Sequence, residues 1–209
     1  MLSHYTTIIF DLGGVIINLE EKQTVEAFRR LSKLDEKDFY SVYKPTSYSF
    51  SMLERYETGK VSNHDFRNAM RKILHIEAED HVIDHAWNQI LGDIPQERID
   101  LLKKLFSSHQ IMLLSNTNDI HRRAFDDILY QQAKMKFTDL FHKVYYSYEM
   151  QDRKPNLSIY RRILDENKLN PSETLFIDDN MKNVVAARRL GIHAVHLVPP
   201  VTINHLLGG

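Results

Sequence analysis

The second half of the chain alternates short apolar runs with amphipathic helical patterns, and this alternation limits the possible folds. The strand-like runs of this half are 111–114, 144–146, 174–177 and 194–198, and a further one lies near the start of the chain at 7–10. The helical patterns that accompany them are 99–106, 119–132, 159–166 and 181–190. Such alternation predicts crossover connections between parallel strands of a single sheet. We therefore expect an α/β fold whose core is a doubly wound, Rossmann-like parallel sheet.

Between the first and second strand-like runs, the sequence shows helical periodicity and no convincing strand. The apolar face of the first helical pattern consists of Val25, Phe28, Leu31 and Leu34. A second pattern opens at Ser62 with a capping-box-like sequence, and a third covers 82–91. We predict an all-helical insertion at 18–94 and a core made of 1–17 and 95–209. The tail at 199–209 is expected to be a surface extension.

Composition and charge narrow the class of partner. The chain has 27 basic and 28 acidic residues, so no broad basic surface for nucleic acid or anionic membrane is expected. It has no cysteine, which excludes thiol catalysis, Cys-ligated zinc and disulfides. No apolar run is long enough to span a membrane, and the first residues lack the basic start of a signal peptide. We expect a cytoplasmic monomer or homodimer that acts on a small molecule.

Polar residues follow the strand-like runs where an open parallel sheet binds its ligands. Asp11 follows the first run, and Ser115-Asn116-Thr117 follows the second. Lys154 lies just beyond the third run, and Asp178-Asp179 follows the fourth. Because the carboxyl ends of parallel strands share one edge, we expect these side chains to meet there.

The acids of this set match the needs of phosphoryl transfer. The Asp11 carboxylate can act as a covalent nucleophile and form an aspartyl phosphate. Mg²⁺ binds a few carboxylate oxygens together with waters and phosphate oxygens. Asp11 and Asp179 are its predicted ligands, and Asp178 is either the second ligand or a helper through water.

The remaining residues of the set can bind the phosphoryl group. Ser115, Asn116 and the backbone amides that open the next helix are predicted to hydrogen-bond the phosphoryl oxygens. Lys154 would place a positive charge beside the negative charge of the transition state and keep the acids ionised.

Four motifs together resemble those of the haloacid dehalogenase superfamily, in order and at suitable spacing. They are Phe10-Asp11-Leu12-Gly13-Gly14-Val15-Ile16, Leu114-Ser115-Asn116-Thr117, Arg153-Lys154-Pro155 and Phe176-Ile177-Asp178-Asp179-Asn180. The resemblance implies a magnesium-dependent hydrolase in which the helical insertion is a cap over the site. It also implies that Asp11 is the nucleophile and Lys154 the motif lysine. The wording of the motifs is similar to the bacterial α-D-glucose-1-phosphate phosphatase-like branch.

Position 13 departs from most phosphatases of the superfamily. They carry there a second Asp that protonates the leaving group, whereas this chain has Gly13. Gly13 can offer its backbone carbonyl to the metal but cannot move a proton, and general acid–base help is typically worth ~10²–10⁴ in rate. The branch that the chain resembles shares this Gly and is associated with phosphatase activity. Because an anomeric oxygen leaves more easily than an alkoxide, the departure favours a hexose 1-phosphate as substrate.

Several positions keep two interpretations. Gln151 stands where relatives often have Gly, which leaves the conformation of that loop in doubt. Asn183 is either near the metal or on a helix surface. The turn 56–60 resembles the cap segment that reaches towards substrate, and His81 and His85 are expected to be surface residues.

Two other functions remain open at this stage. A metal-free 2-haloacid dehalogenase would use the same nucleophile, although the paired acids argue against it. A catalytically weak or inactive binding protein that kept the fold would explain Gly13.

Overall fold

The computed structural model describes residues 2–43 and 47–208, and it contains one five-stranded sheet. The strands are β1 (Thr7–Phe10), β2 (Gln110–Ser115), β3 (Lys143–Tyr146), β4 (Thr174–Asp178) and β5 (His193–His196). Their order is β3-β2-β1-β4-β5, and every neighbouring pair is parallel. The predicted doubly wound α/β fold is confirmed. The first strand lies at the centre, so the residue that follows it reaches the middle of the sheet edge.

Strand periodicity explains why helices cover both faces. Ile8 and Phe10 belong to one buried cluster, and Ile9 between them belongs to the other. Because successive strand side chains point to opposite faces, a strand buried on both sides is apolar throughout. All four residues of β1 are buried.

The core helices follow the predicted alternation. They are α6 (Gln96–Phe106), α7 (Asp119–Ala133), α8 (Phe137–Leu140), α9 (Ser147–Met150), α10 (Leu157–Asn167), α11 (Met181–Arg188) and α12 (Ile203–Leu207). The short α8 and α9 were not expected from the sequence. The prediction that the tail is a surface extension is wrong, because α12 packs on α6 and buries Ile203 and Leu207 in the core. The four-residue spacing of these two side chains puts them on one face of the helix.

The predicted insertion contains five helices in the part of the chain that the structure describes. They are α1 (Glu21–Leu31), α2 (Glu36–Tyr43), α3 (Ser47–Glu57), α4 (Asn63–Leu74) and α5 (Asp80–Asn88). The Ser62 cap is confirmed, since its Oγ accepts from the Asp65 N–H at 3.1 Å. Two predicted helical stripes were too long: Leu34 follows the end of α1, and 89–91 follow α5. The division of the chain at 17/18 and 94/95 stays a prediction.

Aromatic side chains join the inserted helices to the core. Trp87 of α5 has its ring centroid 4.9 Å from that of Phe66 and 4.7 Å from that of His121 in the first turn of α7. Phe66 stacks in turn on Tyr56 at 4.2 Å. This contact fixes α3, α4 and α5 beside the carboxyl edge of the sheet. No helix among the described residues is long and apolar enough to cross a membrane.

Candidate active site

Asp11 directly follows β1 and is almost completely buried. Its backbone N–H donates to Ile177 O at 2.9 Å, which extends the pairing of β1 with β4. Its Oδ1 accepts from the Leu12 N–H at 2.7 Å and lies 2.7 Å from Lys154 Nζ. The hydrogen bonds and ion pairs found among the described residues use Oδ1. Oδ2 is therefore the oxygen that can attack a substrate.

Asp11, Asp178 and Asp179 form a cluster in which one oxygen of each lies within 4.8 Å of the others. Burial raises the pKa of Asp11, Lys154 opposes this rise, and the charges of Asp178 and Asp179 add to it. Burial and the charge of Asp178 also raise the pKa of Asp179. Three carboxylates against one ammonium group leave an excess of negative charge, which a divalent cation would neutralise. The donor set consists of oxygens, as Mg²⁺ requires.

The two neighbouring acids after β4 have different surroundings. Asp178 is fully buried, and its Oδ1 accepts from the Asn180 N–H at 2.8 Å. Asn183 Nδ2 lies 3.0 and 3.1 Å from its two oxygens, and Lys154 Nζ donates to Oδ2 at 2.7 Å. Asp179 is only partly buried, and its carboxylate makes no salt bridge with the described residues. Asp178 therefore holds neighbouring groups in place, whereas Asp179 is free to bind a cation.

Lys154 is buried at the centre of the site, with 1% of its surface exposed. Its Nζ lies 2.7 Å from both Asp11 Oδ1 and Asp178 Oδ2, and 5.6 Å from the ring centroid of Phe176. Burial lowers the pKa of Lys154, but the two carboxylates raise it by more, and the net shift is upward. The side chain is thus a fixed ammonium group at neutral pH.

The side chain of Asn116 holds the backbone of Lys154 through two hydrogen bonds. Its Nδ2 donates to Lys154 O at 2.9 Å, and its Oδ1 accepts from the Lys154 N–H at 2.9 Å. The predicted substrate-binding role of its side chain is not tested by this geometry, but both ends of the amide already contact Lys154. The two hydrogen bonds connect β2 to the loop before α10, a link between residues 38 positions apart.

The segment after β2 presents a hydroxyl and a helix start to the site. Ser115 ends β2, and none of the hydrogen bonds found within the described residues uses its Oγ. The Thr117 N–H donates to the fully buried Ser147 Oγ at 2.9 Å, and Asn118 Oδ1 caps α7 by accepting from the His121 N–H at 3.0 Å. These contacts fix the loop so that Ser115 and the first amides of α7 can bind an anion.

The loop after Asp11 needs glycine at position 14. Gly14 has φ +70°, and a Cβ there would collide with the carboxylate of Asp179. Gly14 N donates to Ile17 O at 2.9 Å, and the carbonyl of Gly13 takes part in none of the hydrogen bonds found in this loop. A Cβ on Gly13 would lie 3.1 Å from Leu19 Cδ1, so Leu19 occupies the space beside this position.

The loop before Lys154 keeps its shape without glycine. Gln151 follows α9 with φ 55°, the left-handed conformation that glycine adopts most readily. The departure at Gln151 is therefore accommodated by the backbone.

The turn 56–60 lies against this part of the core. Arg153 Nη1 donates to Glu54 Oε1 at 3.0 Å, and Nη2 lies 3.1 Å from Glu57 Oε2. A Cβ at Gly59 would come within 2.5 Å of Tyr148 O, so this turn and α9 are in close contact.

The structure also resolves three of the open positions. Asn183 is buried, and its contact with Asp178 places it beside the acid cluster and not on a helix surface. Tyr160, which the sequence did not single out, donates to Asn183 O at 3.0 Å. His81 and His85 are exposed, as expected.

Fold and site together define a class. A parallel Rossmann-like sheet carries acids and a buried lysine at its carboxyl edge, with a helical insertion after the first strand. The model of the haloacid dehalogenase-like hydrolase family matches residues 8–197. The chain belongs to this family.

Similar proteins span nearly the whole chain. A D-ribitol-5-phosphate phosphatase from Bacteroides thetaiotaomicron is 28% identical over 184 residues, 88% of this chain and 87% of that protein. A sesquiterpene phosphatase from Aspergillus oryzae is 24% identical, covering 94% of this chain and 92% of the relative. A haloacid dehalogenase family enzyme from B. thetaiotaomicron, crystallised with magnesium and inorganic phosphate, is 32% identical with a TM-score of 0.86. The alignment covers 97% of this chain and 99% of that one.

Proposed function

We propose that the chain is a magnesium-dependent phosphatase that hydrolyses a small phosphorylated metabolite through an aspartyl phosphate on Asp11. The observation that carries this proposal is the position of Lys154 Nζ, 2.7 Å from both Asp11 and Asp178, beside three clustered carboxylates. Such a site combines a nucleophile with groups that bind a dianionic phosphoryl group and a cation. The relatives named as phosphatases and the neighbour crystallised with magnesium and phosphate support the proposal.

Each acid has a separate proposed role. Asp11, the carbonyl of Gly13 and the carboxylate of Asp179 would hold Mg²⁺. Asp178 would act by holding Lys154 and receiving the amide of Asn183, because its oxygens already carry these contacts. Mg²⁺ bound there would neutralise phosphoryl charge.

The protein groups perform the transfer in two displacements. Ser115 and the first amides of α7 orient the phosphoryl oxygens, and Lys154 balances the charge that develops on them. Asp11 Oδ2 attacks phosphorus while the bond to the leaving oxygen breaks. Water then attacks the aspartyl phosphate, which releases phosphate and regenerates the carboxylate.

The proposed substrate class is a sugar or sugar-alcohol phosphate. The ribitol phosphate relative supports a polyol phosphate, while Gly13 is the reason to propose a hexose 1-phosphate within this class. We also propose that 18–94 act as a cap whose 56–60 turn contacts the leaving group, and that the partner is a small molecule and not a nucleic acid.

A phosphate-release screen tests the function. The purified chain is assayed with Mg²⁺ on glucose 1-phosphate, glucose 6-phosphate and ribitol 5-phosphate, with Asp11→Asn as the blank. We expect release that EDTA abolishes and that the Asp11→Asn variant lacks. Release that survives in Asp11→Asn would refute the assignment of the nucleophile.

The same samples test the alternatives. Chloride release from 2-chloropropionate without metal would support a dehalogenase in place of a phosphatase. Calorimetry that shows binding of Mg²⁺ and a phosphometabolite without turnover would support a binding protein.

A further inference from the structure

Arg98 is a buried cation that contacts the loop after the nucleophile. It is the third residue of α6, and 8% of its surface is exposed. Among the described residues it forms no salt bridge, although the charges of Asp93 and Glu97 act on it. Its Nε is sealed from solvent and has no hydrogen-bond partner in the described chain.

This position is unfavourable for a positive charge. A buried cation without a paired anion costs free energy. The first turn of a helix also carries partial positive charge, which repels a cation. The compensating contact is a hydrogen bond from Arg98 Nη1 to Ile16 O at 3.0 Å, between residues 82 positions apart.

The Ile16 carbonyl begins a chain of backbone hydrogen bonds that reaches both sides of Gly13. The Ile17 N–H, which shares a peptide unit with that carbonyl, donates to Leu12 O at 3.0 Å. The Ile17 carbonyl accepts in turn from the Gly14 N–H at 2.9 Å. These two bonds fix the peptide units before and after Gly13. They leave the Gly13 carbonyl, which takes part in none of the hydrogen bonds found in this loop, available to a ligand.

A charged donor at the start of such a chain strengthens the bonds that follow. Arg98 withdraws electron density from the Ile16 carbonyl, so the Ile17 N–H of the same peptide unit becomes a stronger donor to Leu12 O. A hydrogen bond from an ionised group is itself roughly twice as strong as one between neutral groups. Arg98 can therefore act on the conformation of the loop at Gly13 from a position behind it.

We propose that Arg98 is a positioning residue for the magnesium site, whose charged hydrogen bond to Ile16 O keeps the Gly13 carbonyl in the orientation that binds Mg²⁺. The proposal rests on the metal-binding role proposed above for this carbonyl. The same loop reaches the nucleophile, since the Leu12 N–H donates to Asp11 Oδ1 at 2.7 Å. Residues that surround a metal site without touching the ion typically change its affinity about 10–100-fold when they are replaced.

Selective ¹⁵N-glycine labelling tests the loop directly, because the chain has seven glycines. The amide signals of Gly13 and Gly14 are compared by NMR in EDTA for wild type, Arg98→Met and Arg98→Lys. We expect both signals to move in Arg98→Met. Arg98→Lys should stay closer to wild type, because an ammonium group can still donate to Ile16 O. A Mg²⁺ titration of the same samples should give Arg98→Met a Kd about 10–100 times that of wild type, with Arg98→Lys between the two.

Arg188→Met is the matched control. Arg188 also projects from a helix and donates to a backbone carbonyl, with Nε and Nη2 lying 3.1 and 2.7 Å from Ala194 O. Its removal should leave the Gly13 and Gly14 signals and the Mg²⁺ affinity at their wild-type values. It should instead move the signal of Gly191, whose N–H donates to Arg188 O. An equal loss of Mg²⁺ affinity in Arg188→Met would overturn the proposal, because the loss would then follow from destabilisation in general.

Wild-type Mg²⁺ affinity in a folded Arg98→Met variant would overturn the role of Arg98 alone. If Arg98→Met does not fold, as judged by the dispersion of its glycine signals, Arg98→Gln is measured in its place. Wild-type affinity in Arg98→Gln would also refute the role, because a neutral amide lacks the charge that strengthens the chain. A wild-type chain that does not bind Mg²⁺ would overturn the proposed metal site and the role of Arg98 together.

Discussion

Asp178 and Asp179 are adjacent in sequence but are predicted to respond differently to the same substitution. Asp178→Asn replaces a buried oxygen that accepts from Lys154, Asn180 or Asn183 with an NH₂ group that faces these donors. Loss of a charged hydrogen bond costs about 1.5–3 kcal/mol, and a buried unsatisfied group costs about 1–3 kcal/mol. Asp11 remains as a partner for Lys154, so we expect the free energy of unfolding to fall by about 3 kcal/mol.

Asp179→Asn serves as the matched comparison. Its carboxylate holds no described cation, and its removal relieves repulsion by Asp178. We expect the apo protein to unfold at nearly the same temperature as wild type. The variant should instead lose the stabilisation that Mg²⁺ gives to wild type, about 2.7 kcal/mol at 100 times Kd.

Thermal unfolding by circular dichroism, in EDTA and in a Mg²⁺ series, measures both effects. A chain of this size shifts by about 2–4 °C per kcal/mol, so Asp178→Asn should lower Tm in EDTA by about 6–12 °C. Equal Tm values for the two variants in EDTA would refute the separate roles. A Mg²⁺-induced shift that survives in Asp179→Asn would refute its assignment as a ligand.

Four further predictions follow from single residues. Gly14→Ala should destabilise the chain by about 2 kcal/mol or more, because an alanine is strained at φ +70° and its Cβ would collide with the Asp179 carboxylate. Urea unfolding measures this loss. Gln151→Gly should stabilise the chain by about 1 kcal/mol in the same assay, because glycine adopts the left-handed conformation at φ 55° with less strain than glutamine. A loss of stability would contradict this reasoning. Gly13→Asp should raise activity on glucose 6-phosphate more than on glucose 1-phosphate, and a wild-type preference for the 6-phosphate would refute the anomeric argument. Burial raises the pKa of Asp11, so protons should compete with Mg²⁺ for this carboxylate at a higher pH than they would for an exposed Asp. Calorimetry at a series of pH values should show Mg²⁺ affinity falling as the solution is acidified, and a pH-independent affinity would contradict this.

The sequence alone determined the fold class and the edge on which polar residues gather. Apolar runs of strand length that alternate with helical patterns are typical of a parallel sheet covered on both faces, and the residue after each run then lies at the carboxyl edge. Asp11, Ser115 and Asp178 could be placed in this way because their positions depend on local periodicity.

Tertiary structure decided which side chains contact each other. Lys154 contacts Asp11 and Asp178, and its backbone is held by two hydrogen bonds from Asn116, directly after β2. No local sequence pattern encodes these contacts. Ile203 and Leu207 were predicted to lie on a surface tail, because so short an amphipathic segment gives only a weak helical pattern in the sequence. The helix is stabilised by packing on α6, which buries both side chains.

The different surroundings of Asp178 and Asp179 are likewise invisible in the sequence. The hydrogen bonding of Asp178 depends on Asn183 of α11, and Tyr160 of α10 donates in turn to Asn183 O. The same holds for Glu57, which the sequence placed in the turn 56–60 without distinguishing it from its neighbours. Its closeness to the lysine loop comes from packing of α3 against α9, a contact between distant segments that only the folded chain brings together.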